Sequence, residues 1–218
     1  MNKKITLTKN TKSVKYLCAK DKRLSKLINL VGDISYIPYG TNNSYSFLVH
    51  EIIEQMLSMK AGQKIYERLK ILCNGKITPG NISKLTHKEI RSIGTSNRKA
   101  NYIISLTEAV ICNKIKSSKL KNLPDDEIIE LLTSIRGIGI WTAKMYLLFA
   151  LNRQDVLPFE DGAFAQAYKW LYKIKDYDRK AVIKKCKKWK PYTSIAARYL
   201  YRALDTGLTK EEFHLYKD

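Results

Sequence analysis

Two short stretches of this chain combine residue types that can do chemistry. The first, RGIGIWTAKMYL, places Gly137 and Gly139 on either side of one isoleucine, with Trp141 two residues further on. The second, LPFEDGAF, carries Asp161 at a distance of 20 residues from that tryptophan. Glycines let a backbone turn sharply and approach a phosphate closely, and a carboxylate can stabilise a cation or activate water. Which chemistry is possible depends on the elements that position these residues.

The glycine turn has three possible interpretations. A dinucleotide-binding loop needs a preceding strand and a third glycine, but a helix precedes Arg136 and Thr142 stands at the third position. A phosphate-binding P-loop needs Lys-Ser/Thr after its second glycine, where this chain has Ile140-Trp141. The remaining interpretation is a helix–hairpin–helix, with an ordinary corner between two helices as its structural alternative.

In a helix–hairpin–helix, the first N–H groups of the second helix lack intrahelical acceptors and can bind a DNA phosphate. We expect Ile138 to pack into the core, and Thr142 and Lys144 to add contacts with DNA. Such a hairpin holds the DNA backbone without reading its sequence. Taken alone it predicts a non-specific DNA-binding element.

Asp161 stands at the predicted start of a helix, where aspartate is among the best N-cap residues. Capping alone is a sufficient reason for this residue. The helix N-terminus also favours a negative charge at this position. Beside a DNA-binding hairpin, such a carboxylate suits cleavage of an N-glycosidic bond, since it can stabilise the positive charge that develops on the sugar.

Apolar residues recur at helical spacing almost throughout the chain, so we expect an all-α fold. Alternation of period two is confined to the first few residues. The organisation predicted is one unit over residues 1–218, made of a central helical subdomain (about 45–155, with the hairpin at 135–140) and a second one (about 15–40 plus 156–218), with a cleft between them. The helices expected lie around 46–59 and 61–73, in ISKLTHKEIRSIG, from Ser96 onward, in LPDDEIIELLTSI, over about 140–151, from near Asp161, in DRKAVIKKCKKW and in YTSIAARYLYRAL.

Composition favours a polyanionic partner. Lys and Arg number 40 against 20 Asp and Glu, a net charge of +20, although a lysine-rich genome bias would give the same excess. No signal peptide or apolar run of about 18 residues is present, so a soluble intracellular protein is expected.

The spacing of the four cysteines matches no zinc or iron–sulfur site, and buried free thiols are expected. The three histidines are isolated, and no metal site is predicted. These residues are Cys18, Cys73, Cys112, Cys186, His50, His87 and His214.

Five blocks in order resemble the helix–hairpin–helix DNA glycosylase (HhH-GPD) superfamily, in its 3-methyladenine DNA glycosylase II branch. The hairpin and its tryptophan are the first block, and the P-x-x-D sequence ending at Asp161 is the second. The resemblance extends over roughly residues 15 to 205. The other three blocks are IIEQMLSMKAGQKIYERL, IGTSNRKANYIISL and WKPYTSIAARYLYRAL.

The resemblance implies base excision repair by a monofunctional glycosylase that flips an alkylated purine out of double-stranded DNA. Asp161 would be the catalytic carboxylate. Trp141 stands where lyase-competent relatives have a Schiff-base lysine, so no lyase activity is expected, and Lys144 lies one helical turn further on. Met56 would fill the gap left by the flipped nucleotide, with a core position on its helix as the alternative. The base pocket would comprise Trp141, Tyr201 and Phe159, and the DNA-binding residues would be Gln55, Met56, Ser58, Arg98, Lys99, Gly137, Ile138, Gly139, Thr142 and Lys144.

Three departures from the family pattern put the base preference in doubt: Met56 replaces a second glutamine, Tyr201 a common tryptophan and Thr193 a common arginine. These departures leave the reaction class intact, and a glycosylase for deaminated, etheno or oxidised bases therefore remains an alternative. A non-catalytic helix–hairpin–helix DNA-binding protein is the alternative from a different class. No cofactor is expected, and a monovalent cation at the hairpin is left open. We expect a monomer that acts where the DNA is, in the cytoplasm or nucleoid.

Overall fold

The computed structural model describes residues 3–115 and 117–216, except the side chains of residues 117 and 118. The described chain is mostly helical, which confirms the predicted all-α class. Its α-helices are α1 (Lys12–Lys20), α2 (Lys22–Val31), α3 (Ser44–Glu54), α4 (Met59–Leu72), α5 (Pro79–Ile82), α6 (His87–Ser92), α7 (Asn97–Ile111), α8 (Ser117–Leu120), α9 (Asp125–Thr133), α10 (Ile140–Met145), α11 (Gly162–Tyr172), α12 (Arg179–Cys186) and α13 (Thr193–Asp205). A π-helical turn, Tyr146–Ala150, continues α10, and single 3₁₀ turns lie at Thr41–Asn43, Lys187–Trp189 and Leu208–Lys210.

A small antiparallel ribbon joins two segments near the N-terminus. Strand β1 (Ile5–Leu7) pairs with β2 (Ile34–Tyr36) in a register that sets Ile5 opposite Tyr36. Leu7 and Ile34 are buried, while the central residues of both strands face solvent. The sequence did not predict β2, because three residues are too few to show a period of two.

The helices form two compact units. The hairpin unit comprises Tyr39–Leu151, and the terminal unit comprises the chain up to Pro38 together with the chain from Asn152 onward. In the hairpin unit, α3 packs against α4 and α7 and buries Phe47, Leu48 and Ile52. Two buried hydroxyl pairs hold the unit together: Tyr45 with Thr107, and Ser44 with Tyr146, each at 2.7 Å.

The core of the terminal unit contains a buried carboxylate. Asp21 caps α2 through hydrogen bonds from the N–H groups of Arg23 and Leu24. Its second oxygen accepts from the Trp189 indole at 2.9 Å and from the Tyr172 hydroxyl, and it pairs with Lys188 at 2.8 Å. Burial alone would raise the pKa of Asp21, but Lys188, Tyr172 and Trp189 outweigh it and hold that pKa below its ordinary value.

Most predicted helices are present, with two differences. The segment ISKLTHKEIRSIG is helical only over His87–Ser92, because Thr86 and Glu89 make a capping box that starts α6 there, while its first residue, Ile82, ends α5. The helix predicted over 46–59 ends at Glu54, as described below. Cys112 is exposed and Cys18 is only half-buried, so the expectation of buried thiols holds for Cys73 and Cys186 and is wrong for Cys112. No helix among the described residues is long and apolar enough to cross a membrane.

Candidate functional site

The glycine turn joins α9 to α10 inside the hairpin unit. Gly137 has φ +96°, a conformation open to glycine but costly for other residues. A Cβ at this position would lie 2.1 Å from Cγ of Tyr102, so the ring packs directly on the Gly137 backbone. Ile138 is buried, and its N–H donates to the Ile135 carbonyl at 3.1 Å. Local chain geometry therefore requires glycine at 137.

Gly139 has a different role from Gly137. It is the N-cap residue of α10 with an ordinary φ of −97°, and no atom lies within 4 Å of where a Cβ would stand. The space beside it is open to an approaching group. The N–H groups of the first turn of α10 are, by helix geometry, without intrahelical acceptors. Gly139 thus leaves a backbone N-terminus that a phosphate oxygen can approach.

Three hairpin residues predicted to contact DNA have different surroundings. Thr142 is only 1% exposed, and its hydroxyl lies 3.4 Å from the Gln55 amide. Because Thr142 and Ile138 are both buried, a contact with DNA at either position would be made by the backbone, and the predicted role of Thr142 stays a prediction. Lys144 is half-buried on α10, as is the predicted pocket residue Trp141.

The turn between α3 and α4 exposes Met56. Helix α3 ends at Glu54, and Met56 adopts a left-handed conformation with φ +59°. Its side chain is fully exposed. The alternative that Met56 is a core residue of a helix running to 59 is therefore wrong. Ser58 lies just beyond, exposed, and caps α4 by accepting from the N–H of Ala61.

Three other predicted DNA contacts are engaged within the protein. The Gln55 amide donates to the Gly137 carbonyl at 3.0 Å. The Lys99 ammonium donates to the carbonyls of Ile53 and Gln55 at 2.8 and 2.6 Å, and burial lowers its pKa. Arg98 beside it is exposed and donates to the Tyr102 hydroxyl. The structure thus brings Gln55, Lys99 and Gly137 together. Of the two cations, Arg98 is exposed at the surface and Lys99 is half-buried.

Asp161 lies in the terminal unit and is the N-cap residue of α11, as predicted. Its Oδ1 accepts from the N–H of Phe164 at 2.7 Å. Its own N–H donates to the Pro158 carbonyl at 3.0 Å, which closes a turn over residues 158–161. The side chain is half-buried. The Phe164 N–H therefore positions the carboxylate, while the turn from Pro158 positions the backbone that carries it.

Tyr177 supports the same turn, a role that sequence analysis did not predict. Its hydroxyl donates to the carbonyl of Phe159 at 3.0 Å, and its ring packs edge-on against Tyr168 of α11. Burial raises the pKa of Tyr177, so the phenol stays a neutral donor. It lies in KDYDRK, a polar loop without periodicity, where only the tertiary fold shows its role.

Tyr201 lies half-buried on α13, near a buried cation. Arg198, one turn earlier on the same helix, stacks its guanidinium on the ring of Tyr36 at 3.8 Å. Burial lowers the pKa of Arg198. The Tyr36 hydroxyl donates to Oδ1 of Asn152 at 3.1 Å. This arrangement joins α13 to β2 and fixes the helix that carries Tyr201.

One cluster of potential metal ligands exists among the described residues, on α3, and the sequence analysis overlooked it by treating His50 as isolated. Atoms of His50, Glu51 and Glu54 lie within 4.8 Å of one another. Nδ1 of His50 faces Glu51 at 3.6 Å, and Nε2 faces Glu54 at 3.5 Å. Because opposite ring nitrogens face different carboxylates, the arrangement is that of an ion-pair triad.

The chain is similar to known proteins over most of its length. The family model of the HhH-GPD superfamily base excision DNA repair proteins matches residues 49–191. DNA-3-methyladenine glycosylase 1 of Schizosaccharomyces pombe is 33% identical over 206 residues, covering 90% of this chain and 88% of that protein. The crystal structure of a DNA-3-methyladenine glycosidase from Bacillus halodurans is similar with a TM-score of 0.84 and 33% identity, covering 97% of both chains. An S. pombe 3-methyladenine DNA glycosylase in complex with abasic DNA has a TM-score of 0.84 and 30% identity, covering 95% of this chain and 100% of that one.

Proposed function

The chain belongs to the HhH-GPD superfamily of base excision DNA repair proteins, and from that membership we propose that it is a monofunctional DNA glycosylase for alkylated purines. Its substrate would be double-stranded DNA carrying a base of the 3-methyladenine or 7-methylguanine type. The relatives named for 3-methyladenine, and the neighbour bound to abasic DNA, support this substrate class.

The observation that carries the proposal is the placement of Asp161. Its carboxylate is fixed at the N-terminus of α11 by the Phe164 N–H and by the turn from Pro158. As the N-glycosidic bond breaks, positive charge develops on the deoxyribose, and a preorganised carboxylate stabilises it without having to reorient. The same oxygen atoms can orient or deprotonate the attacking water.

The alkylated base is a good leaving group. An N3- or N7-alkylated purine is already cationic, so it departs as a neutral base without a general acid. Aromatic faces suit such a cation before cleavage. By resemblance we assign Trp141, Phe159 and Tyr201 to the base. Glu160, although adjacent to Asp161, is not assigned a role because consecutive residues at a helix start point in different directions.

The DNA-holding part of the proposal rests on the hairpin unit. The open backbone at Gly139 would hold a phosphate, and exposed Met56 would enter the space that the flipped nucleotide leaves. Arg98 and Ser58, both exposed, and Lys144 are further candidates for backbone contacts.

The decisive experiment compares Asp161→Asn with the wild type in release of free base from methylated duplex DNA. Asparagine caps helices as well as aspartate does, so the fold should be unchanged. We expect a fall in the single-turnover rate of at least about 100-fold. Asp178→Asn is the matched control, because Asp178 caps α12 in the same unit and is exposed. Equal release of base by the wild type and Asp161→Asn would refute the catalytic role of Asp161. No release by either protein would favour the non-catalytic DNA-binding alternative.

The absence of lyase activity is part of the proposal. Trp141 stands where lyase-competent relatives have a lysine, and a tryptophan cannot form a Schiff base. Reduction with borohydride during turnover should therefore trap no protein–DNA adduct. A stable adduct on damaged duplex would contradict the assignment. Competition among duplexes with alkylated, deaminated, etheno and oxidised bases would define the lesion range.

We also propose that the enzyme works as a monomer without a cofactor. A cationic leaving base needs no Lewis acid, so excision should be unchanged by EDTA. If a monovalent cation binds at the hairpin, replacing K⁺ by tetramethylammonium should lower the affinity for duplex DNA. Sedimentation with and without duplex DNA tests the oligomeric state.

A further inference from the structure

The ammonium of Lys99 is engaged by backbone carbonyls of the hairpin unit. Its ammonium donates to the carbonyls of Ile53 and Gln55, at the C-terminal end of α3. We infer that Lys99 is a positioning residue, which holds the turn carrying Met56 in the shape needed for insertion into the duplex. The inference rests on the proposed function, and it assigns Lys99 a role through Met56 in place of a direct contact with DNA.

The end of a helix explains why a lysine belongs there. The last carbonyls of an α-helix have no intrahelical donors, and the helix dipole places partial negative charge on them. Lys99 reaches two of these carbonyls from α7, a neighbouring helix that packs on α3. Because Ile53 and Gln55 flank Glu54, the last residue of α3, the ammonium fixes the point at which the chain leaves the helix.

The Met56 turn needs such a restraint. A left-handed conformation is unfavourable for a residue with a Cβ and persists only where the surroundings impose it. The side chain of Met56 is fully exposed, so packing does not hold the residue. The local hydrogen bond from the Leu57 N–H to the Glu54 carbonyl, at 2.9 Å, closes the turn but does not fix its direction.

The same turn has a second anchor. The side chain of Gln55 donates to the carbonyl of Gly137 in the hairpin, while its backbone carbonyl accepts from Lys99. Lys99 therefore holds the residue that joins the turn to the hairpin. A misplacement of about 1 Å in such a constellation can cost on the order of 100-fold in rate.

The test uses Lys99→Met, which removes the ammonium and keeps an unbranched apolar stem. Lys99→Arg is the conservative variant and Lys99→Gln the milder one if Lys99→Met folds poorly. Lys88→Met is the matched control, since Lys88 is an exposed lysine on α6 of the same unit and its loss changes the net charge equally.

The first readout needs no activity: hydrogen exchange in the free protein over residues 54–58. We expect faster exchange in Lys99→Met than in the wild type or Lys88→Met, with Lys99→Arg restoring protection. Unchanged exchange in both Lys99→Met and Lys99→Gln would overturn the inference. This readout also stands if the wild type releases no base, a result that would refute the proposed function instead.

The second readout is DNA distortion, followed by fluorescence of 2-aminopurine next to an abasic site. Lys99→Met should lower the rate at which the protein unstacks 2-aminopurine about tenfold. In the double variant with Met56→Ala, Lys99→Met should not lower this rate further, because both changes act on the same step. The salt dependence of duplex affinity should match that of Lys88→Met. A slope reduced by about 0.9 relative to that control, the value for one lost phosphate contact, would overturn the inference, as would additive losses in the double variant.

Discussion

The side-chain amide of Gln55 donates to the carbonyl oxygen of Gly137 across 3.0 Å, which joins the Met56 turn to the glycine hairpin. The two residues are 82 positions apart in the chain but lie in the same compact unit. The same amide lies 3.4 Å from the Thr142 hydroxyl at the start of α10. Two segments that we propose to contact DNA are therefore positioned as one piece.

Gln55→Glu should weaken this junction more than Gln55→Ala does. Glutamate places an acceptor against the Gly137 carbonyl, whereas alanine only removes the donor. We expect the free energy of unfolding to fall by about 2 kcal/mol for the first and about 1 kcal/mol for the second, measured by urea unfolding. Gln154→Ala is the control, because that amide also donates to a carbonyl but is exposed. Equal stability of all variants would show that the bond contributes nothing.

Alanine substitutions at the two hairpin glycines should have different effects, one on stability and the other on DNA affinity. Gly137→Ala sets a Cβ against the Tyr102 ring at positive φ, and we expect it to cost about 2–4 kcal/mol in free energy of unfolding. Gly139→Ala has space and an ordinary φ, and alanine is only a poorer N-cap than glycine, so the free energy of unfolding should fall by no more than about 1 kcal/mol. Its duplex affinity should nevertheless fall, because the methyl group occupies the approach to the α10 N-terminus. Unimpaired binding by Gly139→Ala would remove the hairpin from the proposed interface.

How much the sequence could predict depends on whether the cause is local. The glycine turn and the cap at Asp161 follow from residue types acting on their own backbone, and both could be predicted. The end of α3 could not, because apolar spacing continues through Met56 and Leu57 with no proline or glycine to stop it. The helix ends where Lys99 and Gln55 make contacts with distant segments.

The same distinction applies to residues that support the site. Tyr177 holds the Phe159 carbonyl from a loop whose sequence shows no pattern. Lys99 reads as a surface cation on an amphipathic helix, and only the packing of α7 on α3 shows that its ammonium turns inward. Single-sequence reasoning assigns charge to the surface by default, so buried donors of this kind are missed.

Asp21→Asn should destabilise the terminal unit. The change keeps the cap of α2 but removes the charge that Lys188 and the Trp189 indole face, at a residue only 4% exposed. We expect a loss of about 3 kcal/mol in free energy of unfolding, against less than about 0.5 kcal/mol for the exposed cap variant Asp178→Asn.

Low pH should destabilise the terminal unit by protonating Asp21. Because the pKa of Asp21 is lowered in the folded state, its stabilisation is present above the unfolded pKa of 3.8 and is lost as pH falls through the folded value. Wild type and Asp21→Asn should therefore converge in stability at low pH in urea titrations. A constant difference down to the lowest pH at which the protein folds would contradict this linkage.

His50 should make the hairpin unit less stable as pH rises through neutrality. Burial would lower the pKa of its imidazole, but the neighbouring carboxylates of Glu51 and Glu54 outweigh it and raise that pKa above its ordinary value. A histidine whose pKa is raised by folding stabilises the fold fully below its unfolded pKa, and the stabilisation is lost as pH rises through the folded value.

The measurement is urea unfolding of the wild type and His50→Gln at a series of pH values from about 6 upward. The difference in free energy of unfolding should be largest at the acidic end and shrink as the imidazole loses its proton between the two carboxylates. Glu54→Gln should reduce the pH dependence without abolishing it, because Glu51 still faces Nδ1 at 3.6 Å. His87→Gln is the control for loss of a histidine outside the triad. A pH profile of His50→Gln parallel to that of the wild type would show that the triad carries no charge on its imidazole. The groups that face this ring or its carboxylates and must be kept constant are Tyr39, Gln63 and Tyr66.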